Sequence, residues 1–201
     1  PFVPTHLVGK ALWDDARSPM PGTRTGARSP FTFLTVFDFH SSIERKNPLA
    51  VALAFQRAFR PDENVRLIIK TSNVNPAHWS NALGHWEKLS RVWIADNRIN
   101  VVNARYSDAQ MLALMEETSC FVSLHRSEGF GYVIADAMLQ EIPVVATNYS
   151  GNVDFCTNET YFPVSYTLQP VDERVMHWKA EKAEWADPDI DSAAVQMRHV
   201  F

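Results

Sequence analysis

The chain of 201 residues is long enough for one substantial hydrophobic core, and its 46% of hydrophobic residues is ordinary for a globular protein. A net charge of −4 provides no overall basic field, so binding to nucleic acid or to an anionic membrane is not favoured. No apolar run approaches the roughly 20 residues that a membrane-spanning helix needs. Because the chain starts at Pro1 rather than at Met, we expect a fragment of a longer protein.

The cysteines and histidines favour no metal site. Cys120 and Cys156 form no CxxC pair, and the seven histidines show no HxxxH or HExxH spacing. Neither a disulfide framework nor a metal centre is predicted, and we expect a reduced, cytoplasmic protein.

The first 30 residues lack the pattern of a packed domain. Arg17–Pro30 is rich in Pro, Gly, Ser and Arg and has no apolar periodicity. We therefore predict a linker or mobile N-terminal segment over residues 1–30.

From residue 31 onward, strand-like and helix-like patterns alternate. Five apolar runs predict strands over Thr32–Asp38, Val65–Lys70, Arg98–Asn103, Ser119–Leu124 and Pro143–Asn148. Helical patterns fill the gaps between them at Asn47–Phe59, Ala77–Arg91, Ser107–Met115 and Tyr132–Glu141.

Three of these helices carry specific features. Asn47 and Pro48 are expected as N-cap and first-turn residues, and Ser107 with Gln110 forms a capping box. The first helix should bury Leu49, Leu53, Phe55 and Phe59, and the second should carry Trp79, Leu83 and Trp86.

This alternation predicts an α/β fold: a Rossmann-like, doubly wound parallel sheet covered by helices on both faces, over residues 31–170. Two C-terminal helices, separated at Asp187–Pro188, are expected within residues 171–201. Sheets of this kind bind ligands at the carboxyl ends of their strands, so the functional residues should lie in the loops that follow the strands.

The segment Ser127–Met138 contains the densest set of functional residues. Gly129 and Gly131 allow a tight turn after a strand, and a helix beginning near Tyr132 offers unpaired N–H groups to an anion. Glu128 lies in the loop and Asp136 on the second helical turn, so two carboxylates flank this anion site. Such an arrangement suits a diphosphate ligand that carries hydroxyl groups on both sides.

This segment resembles the E-x7-E motif of family 4 glycosyltransferases, which have the two-domain GT-B fold. The resemblance implies that Glu128 contacts the transferred sugar and is catalytic, and that Asp136, in place of the usual Glu, contacts the nucleotide ribose. Gly129, Phe130, Gly131, Tyr132 and Val133 then belong to the donor-binding loop and helix start. Leu124 and His125 replace the Pro and Ser of the family pattern.

The loop after the first strand resembles a second family segment, in which an Arg and a Lys neutralise the leaving diphosphate. Lys46 matches the Lys, which implies a catalytic role. Ser41 occupies the usual Arg position, so Arg45 is the candidate substitute for donor binding. The alternative interpretation makes Arg45 and Lys46 solvated loop charges.

Other loop residues are interpreted more simply. The loop after the fifth strand, Thr147–Phe155, resembles a glycine-rich family loop that shapes the donor pocket, and a structural role or a ligand contact is open for it. Asn103–Tyr106 should lie beside the nucleotide base. His125 is either a sugar contact or a hydrogen-bonded structural residue, and Lys70 is expected to be structural.

The resemblance implies the nucleotide-sugar-binding, C-terminal half of a retaining glycosyltransferase in carbohydrate biosynthesis, with a nucleoside diphosphate sugar as donor and a hydroxyl acceptor. It implies neither a metal nor another cofactor. The acceptor domain is then the missing N-terminal half, peripheral membrane association through that half stays open, and the fragment should lack turnover. Two alternatives stay open: another GT-B enzyme, such as an epimerase or a phosphorylase, and a non-catalytic sugar-nucleotide-binding module.

Overall fold

The computed structural model describes residues 29–74, 83–157, 159–171 and 183–201. Within these ranges one sheet has six strands: β1 (Phe31–Asp38), β2 (Val65–Ser72), β3 (Ile99–Asn103), β4 (Cys120–Ser123), β5 (Val144–Thr147) and β6 (Phe162–Val164). Every neighbouring pair is parallel, in the order β3-β2-β1-β4-β5-β6. The predicted parallel sheet is confirmed. The linker expected over residues 1–30 lies outside the described residues, apart from residues 29 and 30.

The helices that connect these strands are α1 (Ile43–Lys46), α2 (Pro48–Ala58), α3 (Leu83–Ala95), α4 (Asp108–Glu116) and α5 (Tyr132–Leu139), and α6 (Ile190–Val200) lies at the end of the chain. The helical patterns predicted α2 to α5. The capping box that opens α4 is confirmed, because Ser107 N–H donates to Gln110 Oε1 at 2.9 Å and Gln110 N–H donates to Ser107 Oγ at 3.4 Å. The part of the predicted second helix before Leu83, including Trp79, lies outside the described residues.

Both faces of the sheet are covered, because adjacent residues of a strand point to opposite sides. Phe33 of β1 packs in one apolar cluster with Phe55 of α2 and Met197 of α6. Leu34, the next residue, packs in a second cluster with Leu114 of α4 and Ile134 of α5. The molecule is therefore a doubly wound, Rossmann-like α/β domain.

One predicted core position is wrong. Phe55 and Phe59 are buried as expected, but Leu53 of α2 is 38% exposed. Leu53 is four residues after Leu49 but only two before Phe55, so its side chain projects away from the buried face of a helix with 3.6 residues per turn.

The C-terminal region also differs from the prediction. Residues 184–188, expected in a helix, form strand β8 (Glu184–Pro188), which pairs antiparallel with β7 (Tyr166–Pro170). Asp187–Pro188 ends this strand, and Asp189 then caps α6 by accepting from the N–H groups of Asp191 and Ser192. The chain between the two strands, residues 172–182, lies outside the described residues.

Candidate functional site

The candidate site lies where the sheet changes direction. β1 and β4 are hydrogen-bonded neighbours although β2 and β3 separate them in the sequence. The connections from these two strands leave in opposite directions, which opens a crevice at their carboxyl ends. The loop after β1 brings Arg45 and Lys46 to this crevice, and the loop after β4 brings Glu128.

The short helix α1 presents the two basic residues. Ser42 begins it by accepting from Arg45 N–H at 3.3 Å, and the buried side chain of Ile43 anchors it to the core. Asn47 ends it in the left-handed region, at φ 53°, which Asn tolerates better than most residues. Asn47 precedes α2 as predicted, but its side chain makes no capping hydrogen bond.

Arg45, Lys46 and Glu128 form a compact ion cluster. Lys46 Nζ donates to Glu128 Oε1, and Arg45 Nη1 lies 3.1 Å from Glu128 Oε2. Arg45 Nη1 also donates to the carbonyl oxygen of Ser127 at 2.7 Å. The side chain of Glu128 is only 10% exposed, so these contacts are made largely out of water. The structure thus brings together the three charged residues that the sequence analysis predicted in the loops after β1 and β4.

The two cations keep this carboxyl ionised. Burial raises the pKa of Glu128, but the hydrogen bond and charge of Lys46, together with the charge of Arg45, outweigh burial and lower the pKa below its ordinary value of 4.5. Glu128 is therefore a carboxylate near neutral pH, able to accept hydrogen bonds but not to donate a proton.

Helix α5 begins next to this cluster with an open amino end. Gly131 precedes it at φ 92°, a conformation that favours glycine, and no side chain caps the helix. The N–H groups of the first turn, including those of Tyr132 and Val133, have no partner within the helix. This end of α5 is suited to bind an anion, as the sequence predicted.

The other predicted residues of this loop and helix are exposed or make few contacts. Gly129 has no positive φ, and a β-carbon there would meet no atom within 4 Å, so the turn does not require glycine at this position. Phe130 and Tyr132 are 42% and 76% exposed, with ring centroids 5.1 Å apart. Asp136 is exposed on the second turn of α5, and its side chain has no hydrogen bond or ion pair with any residue of the described ranges.

The loop after β5 supports the Glu128 loop through contacts that the sequence did not reveal. Ser150 Oγ accepts from Glu128 N–H at 2.8 Å, and Gly151 N–H donates to Glu128 O at 3.1 Å. The φ of Ser150 is 70°, in the left-handed region. This loop fixes the backbone of Glu128 and so has a structural role.

His125 is a satisfied core residue. Its side chain is completely buried, and Nε2 lies 3.1 Å from Tyr149 O and 3.0 Å from Asn152 Oδ1. Both are acceptors, because the Asn152 amide nitrogen donates to Thr147 O, so His125 carries its proton on Nε2 and Nδ1 accepts from Ser123 Oγ at 2.9 Å. Burial lowers the pKa of His125, and the ring is neutral. Of the two interpretations, the structure supports the structural one.

The ammonium group of Lys70 also bonds to groups within the protein. Its Nζ donates to Thr71 O at 3.0 Å and to Ala104 O at 2.6 Å, and it lies 4.5 Å from the ring centroid of Tyr106. Burial lowers the pKa of Lys70. These contacts hold the loop after β3, in agreement with the structural role expected from the sequence.

The sequence matches the family model of the group 1 glycosyl transferases over residues 31–172, which is more than half of the chain. The chain belongs to the group 1 glycosyltransferases. The match contains β1 to β7 and every predicted site residue. A comparison with curated proteins found no match.

Solved structures share the fold of this glycosyltransferase domain. A glycosyltransferase from Rickettsia africae superposes with a TM-score of 0.62 at 14% identity, covering 87% of this chain and 38% of that one. A UDP-forming α,α-trehalose-phosphate synthase from Burkholderia xenovorans gives 0.63 at 13% identity, covering 86% and 36%. Anabaena HepE, in complex with UDP and glucose, gives 0.51 at 21% identity, covering 68% and 34%.

Two further findings concern the length of the chain and the character of its helices. The chain spans 34 to 38% of the length of these three structures. Among the helices in the described ranges, none has the length and apolar character to cross a membrane.

Proposed function

We propose that this chain is the C-terminal, nucleotide-sugar-binding domain of a retaining family 4 glycosyltransferase with the GT-B fold. The donor is a nucleoside diphosphate sugar and the acceptor is a hydroxyl group. The observation that carries the proposal is the meeting of Arg45, Lys46 and Glu128 beside the uncapped start of α5.

The diphosphate site combines two sources of positive charge. The first-turn N–H groups of α5 and the positive end of its dipole face an anion from one side. Arg45 and Lys46 approach from the loop after β1 and can form charge-assisted hydrogen bonds to phosphate oxygens. Anabaena HepE, which has the same fold, contains UDP and glucose, and this supports the proposed ligand class.

Arg45 supplies the guanidinium group that the family pattern places at position 41. Arg45 Nη2 donates to Ser41 Oγ at 3.3 Å, so the guanidinium group lies beside the residue that replaces the usual Arg. The helical turn of α1 brings a side chain four residues later in sequence to the same place. The departure from the family pattern is thereby compensated, and the alternative of two solvated charges is disfavoured.

Glu128 is proposed to change partners when the donor binds. In the structure its carboxylate neutralises Arg45 and Lys46. When the diphosphate takes over these two cations, the carboxylate becomes free to accept a hydrogen bond from a sugar hydroxyl. Glu128 then orients the transferred sugar, and Asp136 contacts the ribose.

Transfer is promoted by stabilising charge on the leaving group. Negative charge grows on the departing diphosphate as the glycosidic bond breaks, and Lys46 together with the Tyr132 and Val133 N–H groups stabilises it. These groups are positioned before the reaction starts, and they supply this stabilisation without a metal ion. The acceptor hydroxyl approaches from the second domain, so the isolated chain binds the donor but turns it over negligibly.

Isothermal titration calorimetry with UDP- and GDP-sugars and with free UDP and GDP tests the proposal. One nucleotide series should bind, Lys46→Ala should weaken both members of that series, and Glu128→Ala should weaken the sugar nucleotide more than the free nucleotide. Binding of no nucleotide, or undiminished binding of the sugar nucleotide by Glu128→Ala, contradicts the proposal. Binding without transfer by the full-length protein would indicate a non-catalytic module instead.

A further inference from the structure

Arg126 connects the diphosphate-binding loop to the C-terminal hairpin. Its Nη1 donates to the carbonyl oxygen of Glu44 at 2.7 Å, in the helical turn that presents Arg45 and Lys46. Its Nη2 lies 2.9 Å from Asp187 Oδ1 in strand β8. One guanidinium group thus joins two segments that are more than 140 residues apart.

The other contacts of Arg126 fix the orientation of this guanidinium group. The plane lies over the ring of Trp185, with Cζ 5.4 Å from the ring centroid. With the Gln169 amide oriented to satisfy its neighbours, its oxygen accepts from Arg126 Nε and from Trp185 Nε1, each at 3.2 Å. All three guanidinium nitrogens therefore have acceptors, and the side chain is only 15% exposed.

The backbone of Arg126 forms a second bridge between the same segments. Arg126 N–H donates to Arg45 O at 2.8 Å, and Ala186 N–H donates to Arg126 O at 3.0 Å. The carbonyl groups of Glu44 and Arg45, which are consecutive, are thus both held by Arg126. Movement of the α1 turn away from Glu128 would break both of these hydrogen bonds.

We propose that Arg126 is a positioning residue, which uses the β7–β8 hairpin as a support to hold Arg45 and Lys46 where the diphosphate binds. This inference rests on the proposed function. Because all three guanidinium nitrogens already have acceptors in the protein, Arg126 acts through the Glu44 and Arg45 carbonyl groups rather than on the donor directly. Strand β7 lies within the segment that matches the family model and strand β8 lies outside it, so the contacts of Arg126 with Ala186 and Asp187 come from beyond the matched segment.

The test pairs Arg126→Ala with a matched control, Arg198→Ala. Arg198 also pairs with an acid, Glu63 at 2.6 Å, and lies over two rings, Phe59 and Phe201. Glu63 precedes β2, so this contact lies at the amino ends of the strands, opposite the site. Both changes should lower thermal stability, but only Arg126→Ala should alter the site.

Two measurements decide the result. Amide hydrogen exchange should become about tenfold faster at residues 43–47 and 126 in Arg126→Ala, whereas within β2, which reports global unfolding, it should change no more than in Arg198→Ala. The Kd for UDP or GDP, measured by calorimetry, should rise about tenfold, with Arg126→Lys in between because one ammonium cannot serve all of these acceptors. Arg198→Ala should leave both the exchange of these amides and the Kd unchanged.

Unchanged exchange at residues 43–47 would overturn the inference, and so would faster exchange with an unaltered Kd. If Arg126→Ala does not fold, Asp187→Ala removes one contact of the same guanidinium group and should give a smaller effect at the same amides. If the wild-type chain binds neither nucleotide, the proposed function fails, whereas the exchange measurement still decides whether Arg126 holds the loop.

Discussion

Gly151 and Gly129 lie in two different loops, and their backbones approach so closely that a β-carbon on Gly151 would overlap the Gly129 carbonyl group and lie 2.9 Å from Phe130 Cα. No residue larger than glycine fits at position 151 without moving the loop that carries Glu128. The loop after β5 thus determines where the Glu128 loop lies, since Ser150 and Gly151 also hydrogen-bond the Glu128 backbone.

Gly151→Ala should therefore both destabilise the fold and impair the site. Overpacking of this kind costs about 1–3 kcal/mol, which urea denaturation would measure as a lower free energy of unfolding. Nucleotide affinity should fall as well, because the Glu128 loop must shift.

The control for this prediction is Gly84→Ala, in α3. A β-carbon on Gly84 meets no atom within 4 Å, and alanine is favoured over glycine in a helix by about 1 kcal/mol. Gly84→Ala should thus raise stability and leave affinity unchanged. If Gly151→Ala is as stable as the wild type, the close approach of the two loops is not rigid.

The ion cluster should make stability depend on pH in acid. Because the pKa of Glu128 is lowered in the folded state, its contribution is complete above the ordinary value of 4.5 and is lost as the pH falls through the folded-state pKa. Glu128→Gln should be less stable than the wild type by about 1–3 kcal/mol at pH 7, and this difference should shrink below pH 4.5. Urea denaturation between pH 7 and about pH 3 would measure both curves; parallel curves would refute the ion cluster.

His125 should produce a second pH effect near neutrality. Burial lowers the pKa of His125 in the folded protein, so only the unfolded chain takes up this proton as the pH falls below the ordinary value of 6.5. Stability is therefore lost as the pH falls below 6.5, down to the folded-state pKa. His125→Gln keeps a donor for Tyr149 O and should remove this part of the pH dependence. If denaturation midpoints of the two proteins fall equally from pH 7 to about pH 5, the ring is not buried in its neutral form.

Asp136→Glu should strengthen nucleotide binding. The family pattern has Glu at this position, and the extra methylene extends the reach of the carboxylate toward the ribose. One improved hydrogen bond to a charged group corresponds to about a tenfold lower Kd for UDP or GDP. Because Asp136 is exposed, stability should change by less than about 0.5 kcal/mol.

Asp108→Glu is the matched control for this change. Asp108 is also an exposed acid in a helix, at the start of α4, and it lies outside the proposed site. Asp108→Glu should leave the Kd for UDP or GDP unaltered. Equal affinities of wild type and Asp136→Glu for UDP and GDP would argue against a ribose contact at this position.

The sheet, and the meeting of Lys46 and Glu128 at one edge of it, were predictable from local patterns. Nearly continuous apolar runs such as Phe33–Phe37 indicate strands that are buried on both faces, and parallel strands place their following loops at one edge. Lys46 and Glu128 could therefore be assigned to one crevice although they are 82 residues apart. Their direct ion pair depends on the lengths and turns of both loops, which no local pattern specifies.

The β7–β8 hairpin and the contacts of Arg126 and Gly151 were not predictable from local sequence patterns. Tyr166–Pro170 is short and largely exposed, and in Glu184–Pro188 the buried residues Trp185 and Ala186 are adjacent. Neither strand therefore shows the apolar alternation that indicates a strand. Arg126 and Gly151 act through contacts with distant backbone groups. Their roles depend on tertiary contacts, which the local patterns of a single sequence do not reveal.

A crystal structure of the chain with UDP or GDP bound tests the central claim most directly. The account predicts diphosphate oxygens within about 2.7–3.2 Å of the Tyr132 and Val133 amide nitrogens and of Lys46 or Arg45, with Glu128 released from at least one cation. A nucleotide bound elsewhere, or a diphosphate at the start of α5 with Arg45 and Lys46 still paired only to Glu128, would contradict it.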